Sequence, residues 1–313
     1  MEFRESFLEK LNTPHLLVIG GTGFIGHHLL KISQTKGWKL TSFSMSPPSP
    51  ERYVKNVKYL HFDLSNRNLV KKNLDIDYDY VVNLGGYINH LLFKEGGRKV
   101  IETHFTALQN LLEFLPRQKL KRFVHIGSSD EYGRAPAPQK EKFRENPISP
   151  YSSAKVACTH FLQMLHCTEN FPVVILRFFL TYGPGQDHMR FLPQVIQASL
   201  NNEKFPVSSG EQLRDFCYVS DCVNAILKTL IATNVDGEII NIASGKPISI
   251  RGIIEKVCSI TGSGIPQYGK ISHRPGENME LYANISKAKK LLKWEPLTPL
   301  ENGIKKVIDS LNG

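Results

Sequence analysis

Tyr151 and Lys155 are the residues whose types and spacing point most directly to proton transfer. They lie in the sequence Tyr151-Ser152-Ser153-Ala154-Lys155, and a helix would place two residues four positions apart on one face. A tyrosine with its ordinary pKa of about 10 is a poor base at neutral pH, but an adjacent positive charge favours the ionised phenol. We therefore predict that Tyr151 is a general acid and base that Lys155 supports.

A second polar group follows the apolar run that ends at Ile126, in the sequence Gly127-Ser128-Ser129-Asp130-Glu131-Tyr132-Gly133. The hydroxyl of Ser129 can hydrogen-bond the same oxygen that Tyr151 protonates, while Asp130 and Glu131 supply carboxylates beside it. We include these three residues in the predicted catalytic site. For the two carboxylates, a solvated turn is the alternative interpretation.

A glycine-rich segment near the start indicates a phosphate-binding turn. It reads Gly20-Gly21-Thr22-Gly23-Phe24-Ile25-Gly26 and follows the apolar run His15 to Gly20 directly. Gly20 permits a tight turn, Gly23 lets backbone N–H groups approach a pyrophosphate at a helix N-terminus, and Gly26 allows close packing of the helix on the strand. With a strand before it and a helix opening at Phe24 and Ile25, the motif predicts dinucleotide binding.

The end of the second predicted strand bears on which dinucleotide is bound. An acidic residue usually stands there to bind the ribose 2′-hydroxyl, but Leu40 to Ser46 contains no carboxylate. A neutral site at Ser44 tolerates a 2′-phosphate, and Arg52 could reach one, so NADP is favoured slightly over NAD. Asp63, followed by Leu64, is placed to accept hydrogen bonds from an adenine, with a turn-capping aspartate as the alternative.

These residues need a scaffold, and the apolar pattern predicts an α/β fold. Apolar runs at residues 39–43, 57–62, 80–84, 122–126 and 173–177 alternate with helical or polar segments. Long helices are expected over residues 98–115 and 151–167. The alternation predicts a doubly wound parallel sheet of the Rossmann type. We expect residues 1–177 to form this domain and residues 178–313 mainly a smaller lobe, with some segments returning to the sheet.

Composition narrows the classes of partner. The 313 residues carry a formal net charge of +10, which favours an anionic partner, but no nucleic-acid-binding motif accompanies the basic clusters. No apolar run approaches the ~20 residues that cross a bilayer, and the first residues lack a signal-peptide core, so we expect a cytoplasmic protein without a membrane partner. The five cysteines have no spacing typical of a zinc site, and we predict no metal.

The motifs together resemble those of the extended short-chain dehydrogenase/reductase family, in its sugar-nucleotide epimerase/dehydratase branch. The resemblance runs along nearly the whole chain through Gly20–Gly26, Asp63-Leu64, Asn83-Leu84-Gly85-Gly86, Ser128-Ser129, Tyr151/Lys155, Leu176-Arg177, residues 182–186, 190–193 and 210–216, and Arg274-Pro275-Gly276-Glu277. It implies that Leu84, Gly85 and Gly86 contact a nicotinamide dinucleotide. It also implies a C-terminal lobe that holds a nucleotide-diphosphate sugar through Arg190, Arg214 and Arg274, and a homodimer formed by the two long helices.

Two departures from the family leave the substrate open. His104 stands where relatives often have asparagine in the long helix, and Leu180 stands where many have asparagine after Leu-Arg-x-Phe. Three reactions at C4 of the hexose fit the motifs, namely reduction of a 4-keto-6-deoxy sugar, 4,6-dehydration and 4-epimerisation. Ser129-Asp130-Glu131 resembles the Thr-Asp-Glu of the dehydratases, whereas the neutral second-strand end suits a reductase that consumes NADPH. We favour the reductase, and a dinucleotide sensor without activity is the non-enzymatic alternative.

Overall fold

The computed structural model describes residues 13–273 and 277–312. The strands that it contains are β1 (His15–Ile19), β2 (Lys39–Ser44), β3 (Val57–His61), β4 (Tyr80–Asn83), β5 (Arg122–Ser128), β6 (Val173–Phe178), β7 (Leu180–Tyr182), β8 (Lys204–Pro206), β9 (Leu213–Tyr218), β10 (Ile239–Ile242), β11 (Pro247–Ser249), β12 (Ile265–Gln267) and β13 (Glu280–Leu281).

Seven of these strands form one sheet in the spatial order β10-β6-β5-β4-β1-β2-β3. The pairs of β1 with β2, β1 with β4, β2 with β3, and β4 with β5 are all parallel. Every residue of β1 is buried, as expected for a strand covered by helices on both faces of a parallel sheet. Strand order reverses beside β1, and this confirms the predicted doubly wound, Rossmann-type architecture.

Helices connect the strands. The α-helices of the described residues are α1 (Phe24–Thr35), α2 (Arg67–Asn73), α3 (Gly97–Ile101), α4 (Ala107–Phe114), α5 (Pro150–Glu169), α6 (Phe191–Leu200), α7 (Val219–Ile231), α8 (Ile250–Thr261), α9 (Ser286–Leu292) and α10 (Leu300–Asn312). Short 3₁₀ segments lie at Pro50–Arg52, Phe93–Glu95 and Ser129–Tyr132, and one π-helical turn lies at Glu102–Thr106.

The two long helices expected from the sequence are both present. Helix α5 extends the predicted span 151–167 by one residue at its start and two at its end. The span predicted at 98–115 is helical, but its middle turn has π geometry and separates α3 from α4. Apolar periodicity cannot distinguish a π turn from α-helix over so few residues, and π turns of this kind are frequent at functional sites.

Backbone contacts divide the chain into two compact units. The first consists of Met1–Gly127, Ser149–Leu176 and Ile226–Glu238, and the second of Ser128–Ile148, Arg177–Ala225 and Ile239–Gly313. Each unit is therefore assembled from three separate stretches of sequence. The glycine-rich turn, Tyr151 and Lys155 belong to the first unit, whereas Ser129, Asp130 and Glu131 belong to the second.

The second unit is built around β9. This strand pairs with β11 in antiparallel fashion and with β7 and β13 in parallel, while β8 and β12 form a separate parallel pair. Helices α6, α8 and α10 contribute apolar side chains to its core. The core includes the buried residues Tyr182, Leu192, Val195, Ile196, Phe216, Ile253, Val257, Ile304 and Val307.

None of the helices in residues 13–273 and 277–312 combines the length and the apolar character that crossing a membrane requires. Within the same residues, no group of three or more His, Cys, Asp or Glu side chains is placed to hold a metal ion.

Candidate functional site

The glycine-rich turn connects β1 to α1 in a geometry that only glycines allow. Gly20 has a positive φ of 78°, which is costly for residues with a side chain, and its N–H donates to the carbonyl of Phe43 at 2.7 Å. A Cβ at Gly26 would lie 2.2 Å from the Gly20 carbonyl oxygen. The first turn of α1 therefore packs directly against the backbone of the preceding turn.

Helix α1 offers its N-terminus to an anion. Gly23 caps the helix and donates its own N–H back to the Gly20 carbonyl at 3.0 Å. The helix then begins at Phe24 and Ile25, and the first amide groups of a helix have no partners within it. Because Gly23 has no side chain and the first helical amides have no partner within the helix, a pyrophosphate can approach this backbone closely. The residues present thus fit a dinucleotide.

Ser44 and Arg52 both contact this turn. The Thr22 N–H donates to Ser44 Oγ at 3.3 Å, and Arg52 Nη1 donates to the Thr22 carbonyl at 3.4 Å. His27 Nδ1 lies 3.0 Å from the Arg52 carbonyl. Burial lowers the pKa of His27, although its hydrogen bond to that carbonyl opposes the shift. The guanidinium of Arg52 is therefore held at the backbone of the turn, beside the neutral end of β2.

The carboxylate of Asp63 accepts hydrogen bonds within its own turn. Its Oδ1 accepts hydrogen bonds from the Ser65 N–H at 2.8 Å and from Ser65 Oγ at 2.7 Å, and Lys99 Nζ lies 3.9 Å from Oδ2. Burial by itself raises the pKa of Asp63, but the Ser65 hydrogen bonds outweigh it and the net shift is downward. The neighbouring Leu64 carbonyl accepts from Asn110 Nδ2 at 2.9 Å. These contacts match the turn-capping alternative, and an adenine contact at Asp63 stays a prediction.

The segment Leu84-Gly85-Gly86 follows β4 and lies beside the glycine-rich turn. A Cβ at Gly20 would lie 3.1 Å from the Leu84 carbonyl oxygen. The Gly85 N–H donates to Asn83 Oδ1 at 3.0 Å. Gly86 has a positive φ of 108°. Both turns therefore lie at the carboxyl edge of the sheet, at the reversal of strand order where ligands bind in this architecture.

Tyr151 lies in the first turn of α5, and the sequence before it explains why the helix starts there. Ser149 Oγ accepts from the Ser152 N–H at 3.1 Å, and Ser152 Oγ accepts from the Ser149 N–H at 2.9 Å, which is a reciprocal cap. Tyr151 is 4% exposed and Lys155 is 5% exposed. Lys155 Nζ donates to the Ile126 carbonyl at 2.8 Å. The side chains predicted to transfer and support a proton are thus buried on one helix.

Three histidines that were not predicted as site residues, His90, His104 and His125, lie around this pair. The rings of His104 and His90 meet the Tyr151 ring edge-on, with centroids 5.3 and 5.7 Å away. Burial, assisted by the charge of Lys155, lowers the pKa of His104 to about 3 and that of His125 well below its ordinary value. Both buried histidines are neutral. Isolated histidines carry no sequence signal, and His104 stood out only as a departure from the family.

Ser128 organises the polar segment of the second unit. It caps the 3₁₀ turn Ser129–Tyr132, because its Oγ accepts from the Asp130 N–H at 3.1 Å and its own N–H donates to Glu131 Oε1 at 2.8 Å. The side chain of Ser129 is buried and that of Asp130 is half-buried. The catalytic roles of Ser129 and Asp130 stay predictions.

Glu131 is neither in a solvated turn nor available to a substrate. Its Oε2 accepts from Arg177 Nε at 2.9 Å, and both side chains are fully buried. Arg177 also pairs with Glu145 and lies over the Tyr132 ring, 4.7 Å from its centroid. Burial opposes the charge of Arg177, but Glu131, Tyr132 and Glu145 together outweigh it and raise the pKa of the guanidinium. Both Glu131 oxygens are engaged, which argues against proton transfer by this carboxylate, and its catalytic role stays a prediction.

The arginines expected to bind a diphosphate differ in their surroundings. Arg214 is mostly buried, and its Nη2 donates to Glu277 Oε1 at 2.8 Å while its Nη1 donates to the Leu213 carbonyl at 2.8 Å. Arg190 is exposed immediately before α6. Arg274 lies outside the described residues. Substrate binding by these arginines stays a prediction.

Comparison with known proteins places the chain among nucleotide-sugar enzymes. The model of a family described as the NAD dependent epimerase/dehydratase family matches residues 16–243. The chain is 31% identical over 305 residues to YtcB of Bacillus subtilis, described as an uncharacterized UDP-glucose epimerase, with 92% of this chain and 95% of that protein covered. It is 27% identical over 325 residues to a dTDP-glucose 4,6-dehydratase of Xanthomonas campestris, covering 94% and 92%.

A solved structure extends the similarity to a liganded enzyme. The chain superposes on the UDP-glucuronic acid 4-epimerase from Bacillus cereus in complex with UDP-glucuronic acid and NAD, with a TM-score of 0.85 and 28% identity. The match covers 95% of this chain and 99% of that structure.

Proposed function

The chain belongs to the NAD dependent epimerase/dehydratase family, and from that premise we propose that it catalyses 4-epimerisation of a uridine diphosphate hexose. It is an enzyme of the extended short-chain dehydrogenase/reductase type that acts on sugar nucleotides. One observation carries the proposal. Tyr151 and Lys155 are buried on α5 in the unit that also holds the glycine-rich turn, while Glu131 is engaged in a buried ion pair.

The chemistry assigned to Tyr151 is a proton transfer at the hydroxyl on C4. The phenolate takes the hydroxyl proton as the carbon is oxidised and returns a proton to the same oxygen after the carbonyl has been reduced. When bound, NAD would supply the hydride acceptor for the first half and the hydride donor for the second, and return of the hydride to the opposite face of C4 inverts the configuration. Lys155 favours the ionised phenol throughout, because its positive charge is held four residues away on the same helix.

The state of Glu131 argues against a 4,6-dehydratase. Such an enzyme needs a base for the C5 proton and an acid for the departing C6 hydroxyl, and the sequence offered Asp130 and Glu131 for these roles. Glu131 is fully buried against Arg177, which leaves Asp130 alone. Epimerisation and ketone reduction need neither carboxylate, because Tyr151 is sufficient for the proton at the C4 oxygen.

A 4-ketoreductase is the second candidate, and Arg52 is the observation that favours it. A reductase consumes NADPH, and the guanidinium of Arg52 lies at the Thr22 carbonyl beside the neutral Ser44, where it could pair with a 2′-phosphate. The sequence alone favoured this reaction. The similarity to a 4-epimerase that binds NAD, over 95% of the chain, moves our preference to epimerisation with NAD.

Assembly and location complete the proposal. We propose a homodimer formed by α5 and the helical segment from α3 to α4, as the family resemblance implies, and a cytoplasmic location. Size-exclusion chromatography with light scattering measures the assembly directly.

A substrate panel tests the reaction. The protein is incubated with UDP-glucose, UDP-galactose, UDP-glucuronic acid and UDP-galacturonic acid without added reductant, and the products are followed by NMR. We expect at least one pair of C4 epimers to interconvert without net consumption of NAD. Tyr151→Phe is the control, and it should form no epimer.

Two other results would overturn the epimerase. Formation of a 4-keto-6-deoxy sugar in the same incubation would establish a dehydratase in spite of the Glu131 ion pair. Net consumption of NADPH with added 4-keto-6-deoxy sugar nucleotides, without any epimer in the first panel, would establish the reductase.

A further inference from the structure

His104 lies at a junction between two parts of the first unit. It is in the middle of the π turn Glu102–Thr106 and is 5% exposed. Its Nε2 lies 3.0 Å from the Tyr87 carbonyl oxygen, and its ring meets the Tyr151 ring edge-on at 5.3 Å between centroids, with an interplanar angle of 74°. One imidazole therefore contacts both the segment after β4 and the phenol of α5.

Gly86 shows how closely the segment after β4 packs on this ring. A Cβ built at Gly86 would lie 2.0 Å from Cε1 and 2.4 Å from Nδ1 of His104, and real Cβ atoms do not approach other atoms so closely. Gly86 also has a positive φ of 108°. The imidazole thus occupies the volume that a side chain at Gly86 would need, and its Nδ1 faces that backbone.

The hydrogen bond to Tyr87 defines the state of the ring. Burial, and next the charge of Lys155, lowers the pKa of His104 to about 3, so the imidazole is neutral over the ordinary pH range. A neutral imidazole has one N–H, and the Tyr87 carbonyl can only accept, so the proton is on Nε2. Other ionisable neighbours of the cluster include the buried His125, whose pKa burial lowers, and the exposed His90 and Tyr87.

We propose that His104 is a positioning residue that couples the cofactor segment Leu84-Gly85-Gly86 to the phenol of Tyr151. The imidazole N–H holds the Tyr87 backbone, directly after Gly86, and the imidazole ring packs against the phenol of Tyr151. A cofactor that fixes the position of the Leu84-Gly85-Gly86 backbone would therefore also fix the position of the phenol. The inference rests on the proposed function in assigning Tyr151 as the acid and base. It adds a residue whose contacts set the geometry of that phenol without touching the reacting atoms.

Two substitutions separate the two contacts. His104→Phe keeps a ring against Tyr151 and removes the donor to the Tyr87 carbonyl, whereas His104→Gln keeps an amide donor and removes the ring. We expect His104→Phe to weaken NAD binding by about five- to tenfold, as loss of one buried hydrogen bond implies, and to lower kcat by a smaller factor than His104→Gln does. We expect His104→Gln to bind NAD nearly as wild type does and to lose about tenfold or more in kcat.

Phe105→Leu is the matched control. Phe105 is on the same π turn, and its ring packs edge-on against Phe161 at 5.8 Å between centroids, so the substitution loosens the turn through another contact. Calorimetric titration with NAD, melting temperatures and steady-state kinetics are measured for all three variants. The control should lower Tm and leave the NAD dissociation constant and kcat nearly unchanged.

The readouts distinguish failure of this inference from failure of the proposed function. NAD binding and the phenolate titration of Tyr151, taken as ultraviolet difference spectra against Tyr151→Phe, need no sugar nucleotide. We expect His104→Gln to shift the phenolate midpoint away from that of wild type, because the phenol loses its edge-on contact with the imidazole and its surroundings change. Variants that match Phe105→Leu in NAD affinity, phenolate midpoint and kcat, and differ from wild type in Tm alone, would make His104 a packing residue only.

Discussion

Two clusters of buried ionisable side chains, one around Lys155 and one around Arg177, are built in opposite ways. In the first unit, Lys155 is surrounded by histidines that its charge and their burial keep neutral, and its Nζ donates to a backbone carbonyl. In the second unit, Arg177 is neutralised by Glu131 and Glu145, both of which pair with it directly. A buried positive charge can favour the ionised form of a neighbouring phenol, whereas one paired directly with two carboxylates holds its surroundings in place.

The largest expected effect follows from removing the phenolic oxygen of Tyr151, the group that Lys155 is proposed to support. Tyr151→Phe should lower kcat by at least about 10³-fold, within the range typical of a lost general acid or base. NAD affinity, measured by calorimetry, should stay within about twofold, because only the phenolic oxygen is deleted. Retention of more than a tenth of the wild-type kcat would contradict the assignment of Tyr151.

Glu131→Gln tests the buried cluster of Arg177, Glu131 and Glu145. It should lower the free energy of unfolding by about 3 kcal/mol, since breaking a buried pair leaves a charge without its partner, while kcat at a temperature where the protein is folded stays within about threefold. Chemical denaturation measures the first quantity. Glu113→Gln, which removes an exposed ion pair with Arg67, is the matched control and should leave stability unchanged. A loss of about 10²-fold in kcat for Glu131→Gln would return this carboxylate to the active site.

The neutral histidines predict a pH dependence of stability. The pKa of His104 is about 3 in the folded protein, below the ordinary value of about 6.5, so the unfolded chain binds the proton that the native state excludes. The free energy of unfolding should therefore fall as pH falls from about 6.5 towards 3, by up to about 1.4 kcal/mol per pH unit from this residue. Denaturation of wild type and His104→Gln near pH 7 and near pH 5 measures the difference.

The comparison of the stability lost between pH 7 and pH 5 in wild type and in His104→Gln tests this prediction. His104→Gln should lose less stability than wild type between the two pH values, and His61→Gln, at an exposed position, should behave as wild type. Equal losses in all three proteins would show that His104 takes up its proton normally in the folded state.

The smallest expected effect is that of a substitution at Arg52. Its guanidinium belongs to neither buried cluster and donates to a backbone carbonyl of the glycine-rich turn. If its guanidinium binds a 2′-phosphate, Arg52→Ala should weaken NADPH binding by about tenfold more than NADH binding. Lys31→Ala, which removes an exposed positive charge from α1, is the control and should affect both cofactors equally. Equal losses for the two cofactors in Arg52→Ala would restrict Arg52 to holding the turn.

The features that depend on local chain geometry could be predicted from residue types and their spacing. Strand β1, the glycines at positions 20, 23 and 26 and helix α5 were all predicted, because burial in a parallel sheet, a positive φ and helical spacing each require particular residue types within a few positions. The pairing of Tyr151 with Lys155 belongs to the same class, since four residues of helix are enough to bring them together.

The partners of each charged or polar side chain depend on the tertiary structure and could not be predicted from the sequence. Glu131 and Arg177 are 46 residues apart in sequence and His104 is 47 residues from Tyr151, so no local pattern could show that the first pair is locked and the second in contact. Asp63 and Arg52 likewise depend on which hydrogen bonds surround them. Burial and electrostatic compensation are properties of the assembled neighbourhood, and they separate a residue that can react from one that holds the fold.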